Sequence, residues 1–262
     1  MSYWRVVGLE THDAFTNMAL DEAISEAVAA RDVGPTMRFY RWTPSAVSIG
    51  YFQSLNDEVA VDKCQEAGID FVRRRTGGGA VYHDYEGEIT YSVIAPEALF
   101  PRGIIDSYHV ICGWILDALE RIGVQAEFKP INDIIMSEGA VGPSGEPVGG
   151  KKISGNAQTR RNGVLLQHGT LLYKVDVPKM FSLLKVGQEK IADKMIAAVE
   201  ERVTCIDKLK PGLSMDEVYM AMLEGFTAGK RWDKGDWTLA ELTRAQELIT
   251  QRYNQERWNA MR

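Results

Sequence analysis

Arg73-Arg74-Arg75-Thr76-Gly77-Gly78-Gly79-Ala80-Val81-Tyr82-His83-Asp84 sets three cationic side chains just ahead of three glycines. Consecutive glycines cost backbone entropy and offer no side chain to pack, so such a run needs a compensating reason. It follows the apolar segment Ile69-Asp70-Phe71-Val72 and precedes Ala80-Val81-Tyr82, both of which read as strands. Two readings of these residue types stay open. One is a glycine-rich hairpin turn with a solvated basic strand end. The other is an anion cradle, in which glycine lets an anion approach the peptide N–H groups and arginine offers a planar fork of donors. A second cationic, glycine-bearing stretch follows downstream, Gly150-Lys151-Lys152-Ile153-Ser154-Gly155-Asn156-Ala157-Gln158.

Around these segments the pattern alternates strands and helices irregularly. Residues 3–9 read as a strand, after which Asp13 caps a helix carrying Leu20, Ile24, Ala27 and Val28 at helical spacing. Met37–Trp42 and Ala46–Tyr51 read as strands about the turn Thr43-Pro44-Ser45, and a helix over Asp57–Glu66 stops at Gly68. Strands follow at 69–74, 80–83 and 88–95. Tyr108, Ile111, Cys112, Ile115, Leu116, Leu119 and Ile122 then form one apolar stripe ended by Gly123, the clearest helix of the chain. Further strands are placed at 125–128, 131–136, 151–159 and 163–173, with 137–150 a loop flexible by composition. Two capping boxes, Ser214-x-x-Glu217 and Thr238-x-x-Glu241, mark a helical C-terminal third whose last helix runs to about Trp258. Strand runs without regular intervening helices predict an α+β fold, helices on a mixed and largely antiparallel sheet.

Bulk properties narrow the function. A chain of 262 residues buries roughly 70–75% of its unfolded surface, enough for its own core. With 30 basic and 36 acidic residues and a net charge of −6, a nucleic-acid footprint is absent, and the arginine run suits a small anion. Cys64, Cys112 and Cys205 are odd in number and show no C-x-x-C spacing, which argues against disulfides and structural zinc and fits a reducing compartment. No leader-like or membrane-spanning apolar run is found, so a cytoplasmic protein without membrane partners is expected.

The motifs carry open alternatives. Gly145-Glu-Pro-Val-Gly-Gly150-Lys151 fits part of a P-loop, but Lys152 stands where a magnesium-binding Ser or Thr is required. Lys151-Lys152 alone reads as a solvated strand edge. Asn132-Asp133 is equally a turn pair or, through Asp133, a Mg²⁺ ligand. His83 and His168 either bond a ligand or fill strand ends.

Taken together, Arg-Arg-x-x-Gly-Gly-Gly-Ala-Val-Tyr-His-Asp, Asn132-Asp133, Gly-x-Lys-Ile-Ser-Gly-x-Ala and His168-Gly169-Thr170-Leu171-Leu172 resemble the lipoate–protein ligase A family, in order, over about residues 10 to 226. The resemblance implies the fold shared by biotin protein ligases and class II aminoacyl-tRNA synthetases. It also implies a single catalytic domain over 1–262 with a helical tail from about 227, the smaller accessory domain of bacterial ligases being absent. The implied reaction is ATP-dependent: lipoate becomes lipoyl-AMP, and the lipoyl group passes to a carrier lysine. Lys152 is the implied catalytic residue, a fixed cation between two repelling anions, whose loss typically costs about 10²–10³ in rate. Arg74 is implied at the nucleotide phosphates, with Arg73 read as solvated and Arg75 standing where a small polar residue is usual. Gly77, Gly78, Gly79, Ala80, Val81, Tyr82, His83, Asn132, Asp133, Ser154, Gly155 and His168 complete the implied ATP and lipoyl-AMP site, with Mg²⁺ at Asp133.

The implied partners are lipoyl domains of 2-oxoacid dehydrogenases, the glycine-cleavage H protein and a separate accessory subunit. Two alternatives accompany the ligase. One is a lipoate or lipoyl-adenylate binding subunit without turnover. The other is an octanoyl or lipoyl transferase, set aside because no cysteine lies between Cys112 and Cys205 and the position three before His168 is Leu165.

Overall fold

The computed structural model describes residues 3–185 and 192–262. Strands β1 (Tyr3–His12) and β2 (Thr36–Trp42) flank the helix Ala14–Ala30, which begins where the Asp13 carboxylate accepts from Thr16 N at 2.7 Å. Then come β3 (Ala46–Ile49), β4 (Asp70–Arg73), β5 (Val81–His83) and β6 (Glu88–Pro96). The helix Ile104–Arg121 leads to β7 (Ala126–Lys129), β8 (Asp133–Met136), β9 (Lys152–Arg161) and β10 (Val164–Leu172). After the helix Met215–Thr227, β11 (Arg231–Lys234) returns to the edge of the sheet.

Eight strands form one sheet in the order β11-β1-β2-β6-β10-β9-β8-β7, and β4-β3-β5 form a second, smaller one. Among the described strands of the large sheet only β1–β11 and β1–β2 pair in parallel, so that sheet is mixed and largely antiparallel, as the sequence predicts; in the small sheet β3–β4 is parallel. β6 and β10 lie at its centre and are buried along almost their whole length. Alternation decides what each face meets. Tyr91 and Val93 of β6 pack with Ile111, Ile115, Met222 and Phe226 of two helices, while Ile94 meets Ile24 and Val28 of Ala14–Ala30 on the other face. A separate core of Val47, Ile49, Val59, Ile69, Tyr82 and Leu183 sits against the small sheet.

Several local expectations change. The helix over 57–66 is two short ones, Leu55–Glu58 and Val61–Glu66, because Val59 takes extended geometry (φ −122°, ψ 132°) and bridges Leu184. Segment 137–150 is no bare connector, since Ala140 and Val148 join the main core. β11 escaped the sequence reading because all four of its residues are exposed and show no apolar alternation. The last helix stops at Leu248, followed by a π-helical turn, Ile249–Tyr253, and a short helix, Glu256–Asn259. Both capping boxes form.

Helix Ala14–Ala30 is fastened to the sheet by a buried ion pair. Arg38 of β2 donates through Nη1 to Asp21 Oδ1 at 2.9 Å and through Nη2 to Asn17 Oδ1 at 2.8 Å. Ser92 Oγ donates to Asp21 Oδ2 at 2.7 Å. Burial opposes the Asp21 charge, but the His168 hydrogen bond and the Arg38 charge outweigh it and hold the carboxyl below its ordinary range. His168 is itself pushed down, chiefly by burial.

For both groups the unfolded chain binds protons more readily, so folding stability rises with pH. The Asp21 contribution is present above the ordinary carboxylate range and is lost as pH falls through the lowered folded value. His168 begins to weaken the fold once pH drops below the ordinary histidine value. Asp21→Ala should cost about 3–5 kcal/mol by urea unfolding at neutral pH, the usual effect of stranding one buried charge. The variant should also lose part of the wild type's decline in urea midpoint on acidification.

Candidate active site

The glycine run joins β4 to β5, and each of the three arginines before it has a distinct partner set. Arg73, read from sequence as solvated, is fully buried. Its Nη1 donates to the carbonyls of Gly50, Tyr51 and Gln53, while Nε and Nη2 donate to those of Trp258 and Asn259 at 3.0 and 2.8 Å. Arg75 pairs with the buried Glu22 at 2.5 Å, a carboxylate that also holds Arg252 and the Tyr253 hydroxyl.

Arg74 turns inward beneath the loop. Its Nη2 donates to the carbonyls of Gly77 and Gly79 at 2.9 and 2.7 Å, and Nε donates to Thr76 Oγ1 at 3.1 Å. Nη1 donates to the carbonyl and Oγ of Ser48 at 3.2 and 3.1 Å. Burial brings its pKa down to about 10, which leaves it charged at neutral pH. All three of its nitrogens bind protein oxygens, so the charge shapes the loop.

The loop needs glycine where it touches its neighbours. Gly78 has φ +96°, and a Cβ there would meet Arg74 Nη2 at 2.9 Å. A Cβ on Gly50 would lie 2.0 Å from the Gly78 carbonyl oxygen, so loop and β3 end meet backbone to backbone.

Beneath the loop lies a cavity of about 350 Å³, within the range of roughly 300–1,000 Å³ usual for small-molecule sites. Met18, Trp42, Tyr82, Leu172, Met180 and Val203 give it apolar walls. Of the sequence-predicted residues, Arg74, Gly78, Gly79, Ala80, Val81, Tyr82, His83, Asn132, Lys152, Gly155 and His168 line it together. Gly77 stands outside the lining. So does Ser154, whose fully buried Oγ has no hydrogen-bond partner.

Lys152 reaches the cavity through a β-bulge. Pairing between β8 and β9 slips between Ile134 and Ile135, so Asp133 faces Gly155 while Ile135 faces Lys152. In an unbroken strand, residues three apart point to opposite faces; the extra residue places Lys152 and Gly155 on one. Lys152 Nζ then meets Asp133 Oδ1 at 2.6 Å, with side chains 39% and 33% exposed. Asp133 does not itself line the cavity and reaches it through that ammonium. A Cβ on Gly155 would sit 2.9 Å from both Cε and Nζ of Lys152, so its absence makes the room.

Other polar wall groups are committed to one another. Asn132 and Asn156 exchange side chain-to-carbonyl bonds, and Asn156 Oδ1 accepts from the Tyr91 hydroxyl at 2.7 Å. His168 Nε2 meets Thr76 Oγ1 at 2.8 Å, and its Nδ1 meets Asp21 Oδ2 at 3.3 Å. His83 Nε2 meets Ser48 Oγ at 2.8 Å, and its Nδ1 meets Glu88 Oε1 at 2.5 Å. Ser48, Trp42, Glu88 and Asn156 were missed in the sequence; the first three sit within ordinary strand patterns, and Asn156 fills a variable position of the Gly-x-Lys-Ile-Ser-Gly-x-Ala motif.

All three cysteines are buried, and burial pushes the thiols up, Cys64 to about 11 and Cys112 to about 12. None lines the cavity.

The cavity is thus mostly apolar, bounded by a glycine loop, with the ammonium groups of Lys152 and Lys174 in its lining. The family model described as Lipoyl protein ligase A/B catalytic domain matches residues 13–227, and the chain belongs to that family. Curated relatives called octanoyltransferase LipM match it nearly end to end. The one from Brevibacillus brevis is 36% identical over 100% of both chains, and that from Symbiobacterium thermophilum is 36% identical over 98% of this chain and 97% of the relative. The structure of a bi-partite lipoate protein ligase from Thermoplasma acidophilum, described with its E2 lipoyl domain, is 32% identical with a TM-score of 0.84, covering 99% of this chain and 97% of that one.

These relatives overturn the expectation of an ATP-dependent ligase, because full-length curated matches are transferases. The argument against transfer was too narrow: it required a thiol, whereas acyl transfer requires only a nucleophile. Asp133 is a lone carboxylate already taken by Lys152, and no cluster of three His, Cys, Asp or Glu among the described residues stands ready for a metal. That donor set does not fit a resident Mg²⁺, and no step below runs through one. Among the described residues, no helix is long and apolar enough to cross a membrane.

Gly155→Ala should push the Lys152 ammonium off Asp133 without unfolding the chain. A crystal structure of the variant should show that ion pair broken, with the β8–β9 register unchanged.

Proposed function

We propose that this chain is an acyltransferase that moves an octanoyl or lipoyl group from a thioester donor to a lysine on a lipoyl domain. The observation that carries the reading is the apolar cavity roofed by the glycine loop and edged by Lys152, within a chain whose full-length curated relatives are octanoyltransferases. A medium-length acyl chain suits walls built from Met18, Trp42, Leu172, Met180 and Val203, and its burial is worth about 0.8 kcal/mol per methylene. The carbonyl then lies toward the polar end, where Lys152 and the loop backbone gather.

Acyl transfer passes through a tetrahedral adduct whose oxygen carries negative charge, so fixed donors aimed at that oxygen lower the barrier. Lys152 supplies one such charge, and its pairing with Asp133 fixes the ammonium before substrate arrives. Gly78 and Gly79 also line the cavity, and among the described residues no hydrogen bond occupies their backbone N–H groups. The bi-partite ligase described with an E2 lipoyl domain supports a lipoyl domain as acceptor, and a glycine-cleavage H protein presents the same chemistry, a lysine on a small carrier.

The test is a two-protein assay with an octanoyl thioester donor, no nucleotide, and a lipoyl domain followed by intact mass. The acceptor should gain one octanoyl group, and Lys152→Met should slow the gain about 10²–10³-fold. Acylation that occurs only from the free acid with ATP would overturn the transferase reading.

A further inference from the structure

The surface beside the glycine loop carries aromatic rings and guanidinium groups that the chamber does not use. We infer that this surface docks the lipoyl domain, through a carboxylate-bearing face next to its acceptor lysine; this rests on the acyltransferase reading above.

The segment Gly50-Tyr51-Phe52-Gln53, directly after β3, presents the rings. Its backbone is firmly held. Arg73 donates to the carbonyls of Gly50, Tyr51 and Gln53, Gly50 N donates to Gln53 Oε1 at 2.8 Å, and Tyr51 N donates to the Thr76 carbonyl at 2.8 Å. Phe52 nevertheless leaves 68% of its surface in solvent. A large ring held outward on a fixed backbone loses little freedom on binding, which is what an interface anchor needs. Tyr51 meets it edge-on, ring centres 5.0 Å apart, and lies 5.9 Å from the ring of Trp258.

Arginines surround these rings. The Arg262 guanidinium lies 5.4 Å from the centre of Phe52, that of Arg161 5.1 Å from Tyr51, and that of Arg252 5.1 Å from Trp258. A guanidinium against a ring keeps its edge N–H groups available, and that edge is the one a carboxylate binds in a fork. The arginine ion pairs among the described residues include neither Arg161 nor Arg262. Arg75 and Arg252 share a single carboxylate, Glu22, so one of their two charges stays uncancelled. Arg75 and Arg161 border one small hollow, where the Glu26 carboxylate is already taken by Arg244 at 2.7 Å.

A locally positive, ring-bearing surface on a chain of net charge −6 selects an acidic protein partner. Opposite charge steers the encounter, and the rings supply the contact. Position ties the surface to the reaction. Thr76, bonded to Tyr51, opens the glycine run, and Gly78 and Gly79 of that run are exposed and line the chamber. A domain seated on Tyr51 and Phe52 therefore lies against the loop beneath which its lysine reacts.

The test titrates the full chain with an isolated lipoyl domain by calorimetry, without an acyl donor, at low and at high salt. Arg161→Glu combined with Arg262→Glu should weaken binding at least about tenfold at low salt and flatten its salt dependence. Both side chains are exposed, so the fold should be kept, as circular dichroism will check. In the transfer assay the same double variant should raise KM for the lipoyl domain and leave kcat unchanged. A benzophenone side chain in place of Phe52 should crosslink to the lipoyl-domain peptide that holds the acceptor lysine or one beside it. Unaltered affinity of the double variant, or crosslinking only to a distant face of the lipoyl domain, would overturn the docking site. Because binding is read without a donor, either result leaves the transferase reading in place. Intact binding with no transfer from any thioester would instead remove that reading alone.

Discussion

One guanidinium organises the centre of this molecule. Arg74 is almost wholly buried and spends its donors on Ser48, Thr76 and two carbonyls of the glycine loop. A buried cation is tolerated only when its N–H groups are satisfied, and here most of the acceptors are backbone or hydroxyl oxygens with no net charge. The positive charge is therefore left uncancelled by any carboxylate in direct contact. It gives the loop a fixed curvature and sets a positive charge in the wall of the chamber below. Ser48 and Thr76, each bonded to a histidine, are held by the same side chain. Loop shape, the charge in the chamber wall and the two histidine hydrogen bonds thus share one origin.

The chamber then follows from simple steric allowances. Gly50 and Gly78 permit two backbones to touch, and Gly155 clears a volume for an ammonium. A single bulge in β9 turns Lys152 to the cavity side and leaves Ile153 in the core. None of these needs a special residue chemistry; each needs only a missing side chain or a strand out of step. Apolar walls and a polar end are what remains once those contacts are met.

How far the chain could be read in advance tracks how local each feature is. Asp13, the 108–122 stripe and both capping boxes act within one or two helical turns, and all form as read. The glycine loop and Lys152 were found because their residues cluster in sequence. Arg73 was misjudged because its partners, Trp258 and Asn259, lie 185 and 186 positions away. The break at Val59 is likewise imposed by Leu184, a pairing no local propensity reveals. Ser48 and Glu88 occupy strand positions like any other, and only the packing of the small sheet against the large one brings them to a common histidine. The reaction type was harder still. Octanoyltransferases and a lipoate protein ligase both match this chain nearly end to end, so overall likeness does not separate the two reactions.

The clasp between Arg73 and the segment 258–259 also sets a timetable. Trp258 Nε1 donates to the Arg73 carbonyl, and Asn259 Oδ1 accepts from the Arg73 amide, so the strand leading into the loop is gripped on both of its backbone groups. While the polypeptide is emerging from the ribosome, β4 and the glycines are made long before the residues that grip them. The loop therefore acquires its working shape only after residues 258 and 259 have been made, and a nascent chain that still lacks them has the chamber without its finished roof.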